Sequence, residues 1–105
     1  MNRAFTNKNG NSAYLKVAIT EPISIACMDG ALFSDICICV QRTIPTAELI
    51  VRNYLFHLIN GLLISYKGAM KLYFVTSRGL DALELIYYQR ERRSTSYTDL
   101  VLKLE

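Results

Sequence analysis

Arg52, Asn53 and His57 stand close together in the chain. Between them they carry donors and acceptors of the kind that pair with base edges. Thr46, a little upstream, offers a hydroxyl to a phosphate oxygen, and Lys67 and Lys71 bracket Gly68 with two ammonium groups. Such a set breaks no bonds. It is suited to holding a polyanion and reading its bases. The chemistry of turnover is missing: there is no glycine-rich phosphate loop, no metal-ligand cluster and no G-x-S-x-G. A Cys–His pair can be assembled only from Cys27, Cys37 or Cys39 with His57, and those cysteines lie in apolar runs without an adjacent cation. No enzyme, cofactor or metal is expected.

The elements that must position these residues come next. The chain has 105 residues, 51% of them apolar, which suits one domain with its own core. The net charge of +3 is too small to argue for a partner, but its distribution is uneven. Between Gly30 and Gly79 lie Arg42, Arg52, Lys67, Lys71 and Arg78 against Asp35 and Glu48. This is either a local positive surface or ordinary solubilising charge. Residues 1–12 are polar and Asn-rich, without the apolar segment of a signal peptide. They read as a flexible arm, with Arg3 and Lys8 available to phosphates. No apolar run approaches the roughly 20 residues of a membrane span, so a cytoplasmic protein is expected. Three cysteines without a Cys-x-x-Cys read as reduced, buried thiols.

Along the chain, residues 13–19 alternate as a short strand would, or lead into a helix. Thr20-Glu21-Pro22 reads as a helix start, with the helix stopping near Asp29-Gly30. Ser34 and Asp35 open a second helix that ends near Gln41-Arg42. The third helix, about Pro45 to Asn60, has the clearest periodicity: Ile50, Val51, Tyr54, Leu55, Leu58 and Ile59 share one side. Thr46, Arg52, Asn53, His57 and Asn60 share the other, with Leu49 and Phe56 among them. Gly61 is placed to end this helix in a left-handed conformation. Residues 62–66 and 71–76 read as a hairpin whose two faces are both apolar. Thr76 or Ser77 can cap a last long helix, about 78–93. Residues 97–104 fit a strand or a short helix equally well.

Two helices, an amphipathic third and a ribbon make a winged helix-turn-helix, a mainly α fold with a small antiparallel hairpin. The third helix would enter a major groove, about 12 Å wide, and the ribbon would follow the backbone. Val51-x-x-x-Leu55-x-x-Leu58 followed by Gly61-Leu62 resembles the recognition helix of winged-helix transcriptional regulators. Tyr73-x-Val75-Thr76-x-x-Gly79-x-x-x-Leu83 resembles their second wing strand and following helix. With the stretch between them, the two patches cover about a third of the chain, in the order and spacing of that superfamily. The resemblance, to the broad MarR, PadR or ArsR type, implies a domain over residues 13–105 that binds double-stranded DNA. The departures are a shorter step from Leu58 to Gly61, a single Arg on the third helix, and Leu49 and Phe56 on its outer side.

In the last helix Leu80, Leu83, Ile86 and Tyr87 form a stripe, widened by Leu85 and Tyr88. The surplus of apolar surface suggests a homodimer through this helix. Arg90, Arg92 and Arg93 near its end suit the dipole, or a phosphate or acidic partner. The expectation is a small dimeric DNA-binding regulator, acting as a repressor. The alternative is a protein–protein module on the same scaffold, a phage inhibitor or adaptor with a host protein as partner. Residue by residue the plainer readings also stand: His57 as a structural histidine, and Arg52 paired with Glu48.

Overall fold

The computed structural model describes residues 13–92 and 101–104. The arm expected over 1–12 and the readings placed on 93–100 lie outside the described residues. The elements run β1 (Ala13–Lys16), α1 (Val17–Ala26), α2 (Phe33–Thr43), α3 (Glu48–Asn60), β2 (Ile64–Lys67), β3 (Leu72–Val75), α4 (Ser77–Arg92) and β4 (Val101–Leu104). The protein is therefore mainly helical with small antiparallel ladders. None of these helices is long and apolar enough to cross a membrane.

Both readings of residues 13–19 are realised: β1 passes directly into α1, with Lys16 still extended. The helix start expected at Thr20-Glu21-Pro22 is not where α1 begins. Pro22 sits inside it, where the missing N–H and the ring's clash with the preceding turn cost about 3 kcal/mol. Burial explains the difference. Val17, Ala18, Ile19 and Ile23 are all buried, so extending the helix by one turn covers apolar surface on several sides of α1.

α2 opens one residue earlier than expected, and Asp35 in its first turn accepts from the Leu32 N–H at 3.4 Å. α3 opens later than expected, at Glu48 rather than Pro45. The Gln41 side chain holds the intervening turn, receiving the Thr46 N–H at 3.4 Å and donating to the Thr46 carbonyl. Val51, Leu55 and Leu58 form the buried face of α3, as their spacing predicts. They meet Ile23 of α1, Ile36 and Val40 of α2, and Leu63 in one core.

The exit from α3 differs in detail from the expectation. Gly61 has a φ of −81°, and the left-handed position falls on Leu62, at +65°. Leu62 N–H donates to Ile59 O at 3.0 Å and Leu63 N–H to Leu58 O at 2.9 Å. This is the double bond pattern of a Schellman turn, with leucine where glycine is usual.

The hairpin forms where expected, over a slightly different span. β2 and β3 pair antiparallel from Ile64↔Val75 to Lys67↔Leu72, leaving residues 68–71 as the turn. Every residue of β3 is half-buried, so both of its faces are covered. Ala31, between α1 and α2, exchanges two bonds with Tyr73 (3.0 and 2.8 Å), a single antiparallel bridge on the edge of β3. Gly30, with φ +92°, lies so close to Phe74 that a Cβ would come within 2.7 Å of the ring.

Thr76 caps α4. Its Oγ1 accepts from Gly79 N–H at 3.0 Å and donates to Leu62 O at 2.7 Å, while its own N–H reaches Leu63 O at 3.0 Å. α4 meets the domain through Gly79, Ala82 and Ile86, which are buried. Ile86, 2% exposed, thus belongs to the core and is unavailable to a dimer contact. The expected stripe is rotated: Leu80 and Tyr87 are exposed and Leu83 is half-buried. β4 resolves the strand-or-helix alternative for its residues. It pairs antiparallel with β1, from Ala13↔Leu104 to Lys16↔Val101.

Candidate nucleic-acid interface

The side of α3 opposite its core contacts is open to solvent. It carries Leu49 (69% exposed), Arg52, Asn53 and Phe56 (53% exposed). These positions recur at helical spacing, so they form one continuous stripe. α3 packs on β2, which brings this helix beside the hairpin. Lys67 ends β2 and Lys71 closes the hairpin turn; both are exposed, and Lys71 takes a left-handed φ of +57°.

Arg52 is the cation of this stripe and its guanidinium is held on two sides. Glu48, one turn earlier, approaches to 3.8 Å. The Phe33 ring of α2 lies beneath Cζ at 4.3 Å. An exposed pair of this kind contributes only about 0.3–0.5 kcal/mol. The ring contact adds about 0.5–1 kcal/mol at such a site. Neither is large, but together they restrict where a long side chain can point. Nothing in the sequence marks Phe33 for this place; only the packing of α2 against α3 brings it there.

His57 lies beside the stripe rather than on it. It is half-buried, and its ring meets Phe56 edge to face at 5.5 Å. Nδ1 is buried and has no hydrogen-bond partner. Thr46 stands apart from the other expected contacts. It is 8% exposed, and its hydroxyl donates to Ile44 O at 2.9 Å. The one proton it could offer a phosphate is already given within the turn. The structure therefore gathers Arg52 and Asn53 on one face, sets Lys67 and Lys71 on the hairpin, leaves His57 at the edge and encloses Thr46.

Of the three thiols expected to be buried, Cys27 is buried and Cys37 and Cys39 are half-buried. Burial first, then the neighbouring Cys39, pushes the Cys27 thiol up to about 12. Burial, with a smaller push from Glu48, raises Cys37 despite the opposing pull of Arg52. Burial also raises the Tyr73 phenol. Among the described residues no group of three His, Cys, Asp or Glu side chains is placed to hold a metal ion. A cavity of about 480 Å³ lies on the outer side of α4, lined by Asp81, Glu84, Leu85 and Tyr88. Its two carboxylates disfavour an anionic ligand.

No protein-family model and no curated protein matches this chain.

Proposed function

We propose that the protein is a winged helix-turn-helix regulator that binds double-stranded DNA, with α3 in the major groove and the β2–β3 hairpin as the wing. The observation that carries this reading is the accessible stripe of α3, bearing Arg52 and Asn53 beside a hairpin that bears Lys67 and Lys71. Three helices followed by the hairpin, with Ala31 joining β3, support the same architecture. In this reading Arg52 and Asn53 face bases, and the two lysines neutralise phosphates. The protein acts as a homodimer, its partner covering Leu80 and Tyr87 on α4 and restoring the two half-sites of a repressor.

A salt titration of binding to a duplex by fluorescence anisotropy tests it. Lys71→Gln is expected to weaken binding to all sequences alike and to flatten the salt slope by about one unit. Asn53→Ala is expected to relax sequence preference instead. Binding indifferent to both substitutions removes the proposal.

A second reading has an observation of its own. Leu49 and Phe56 put large apolar side chains at both ends of the exposed stripe, as a protein-binding surface would. In that case the chain is an interaction module. It would show no salt-dependent affinity for DNA, and Phe56→Ala would abolish capture of its protein partner.

A further inference from the structure

The two apolar side chains that sit oddly on a groove-facing helix fall into a pattern with the polar ones. Leu49, Arg52, Asn53 and Phe56 occupy one stripe, apolar at both ends and polar in the middle. At 1.5 Å per residue the stripe runs for about 10 Å, close to three base-pair steps of 3.4 Å. Its middle is held in place, because Phe33 and Glu48 confine the Arg52 guanidinium. In a major groove the one apolar feature of a base edge is the C5-methyl group of thymine. Guanine presents two acceptors that suit Arg, and adenine an acceptor and a donor that suit the Asn amide.

We infer that Leu49 and Phe56 are reading residues that recognise thymine C5-methyl groups on either side of a purine contacted by Arg52 or Asn53. The inference rests on the DNA-binding reading above and specifies its ligand: a short run of purine flanked by thymine. It accounts for the exposure of two large apolar side chains at the two ends of the stripe. A 5-methylcytosine offers the same methyl at the same place, so it substitutes for thymine at those steps as far as the methyl contact is concerned.

The test starts from a randomised duplex pool enriched on the wild-type protein. Each thymine of the selected site is then replaced in turn by deoxyuridine, which removes the methyl and keeps every hydrogen bond. Affinity is read by anisotropy at one fixed salt concentration for the wild type, Leu49→Ala and Phe56→Ala. Both variants change exposed positions, and circular dichroism melting checks that they fold.

At two thymines, deoxyuridine is expected to weaken wild-type binding about fourfold, the factor that burying one methyl supplies. At one of these thymines Phe56→Ala is expected to erase the difference, and at another Leu49→Ala. The salt slope stays unchanged in all cases. A wild type that binds its selected duplex equally well with deoxyuridine at every position overturns the inference and leaves the DNA-binding reading standing. So does methyl sensitivity that survives in both variants. A protein that enriches no duplex at all overturns both.

Discussion

Gly79 is where the fold has least room. A Cβ built there would lie 2.2 Å from Leu63 O and 2.6 Å from a Val75 methyl. Normal contact requires more than 3 Å, so Gly79→Ala must push the start of α4 away from the turn after α3 by about 1 Å. The obstacle at Leu63 is backbone, which cannot rotate aside. That movement strikes the bonds that join the two segments: Thr76 N–H to Leu63 O, Thr76 Oγ1 to Leu62 O, and Gly79 N–H to Thr76 Oγ1. Losing two of them costs about 2 kcal/mol, at about 1 kcal/mol each. Crowding the Val75 contact adds about 1–2 kcal/mol. Against this, alanine in a helix gains about 1 kcal/mol over glycine. The expected net loss is about 2–3 kcal/mol, or a fall in Tm on the order of 10–20 °C for a domain of this size. Urea unfolding followed by circular dichroism measures it, with Ser77→Ala, at an exposed neighbour, as the control expected near zero. A Gly79→Ala protein as stable as the wild type would mean that the close approach of α4 to Leu63 does not constrain the fold.

Leu62→Gly acts in the opposite sense: it removes the left-handed strain on an exposed leucine and is expected to stabilise by about 0.5–1 kcal/mol in the same urea assay. A loss of stability there would show that the Leu62 side chain contributes more than its conformation costs. Cys27, buried and with its pKa pushed up to about 12, is expected to resist iodoacetamide at pH 8 while Cys37 and Cys39 label first, as mass spectrometry of timed samples would show. The raised pKa also sets a sign: the unfolded thiol ionises near 9 and the folded one near 12, so stability from this group is complete below pH 9 and falls as pH climbs from 9 toward 12. Equal labelling of all three thiols in the native protein contradicts this. Phe33→Leu is expected to move the Arg52 Nε–H resonance downfield as the ring current is lost, and to cost about 0.5–1 kcal/mol. An unmoved resonance would remove the stacking of Phe33 on Arg52.

Periodicity carried much of the fold. Val51, Leu55 and Leu58 repeat at the spacing of one helix face, and they are the buried face of α3. Of the two cap candidates, Thr76 and Ser77, Thr76 is the one that caps α4, whereas the close approach at Gly79 is to the Leu63 carbonyl, which no local signal marks. Readings failed where distant packing outweighed local signals. Pro22 looks like a helix start until α1 is seen to be buried on several sides. Gly61 looks like the left-handed stop, but the turn needs that conformation one residue later, at Leu62. Ile86 was assigned to a partner because the outline of α4 against its own domain depends on Gly79 and Ala82, which carry no hydrophobic signal of their own. Among the candidate site residues, the helical spacing of Arg52 and Asn53 was enough to place them on one exposed face. Thr46 was misjudged because its capture by Gln41 and Ile44 is an accident of the turn between two helices.

The short ladder of β1 and β4 gives the molecule a particular response to tension. Ala13↔Leu104 is its outermost rung and Lys16↔Val101 its innermost. A load drawn across those two outer ends meets the rungs in single file, so they part in succession at low force instead of shearing all at once. Until the innermost rung opens, the helical body is shielded from the pull.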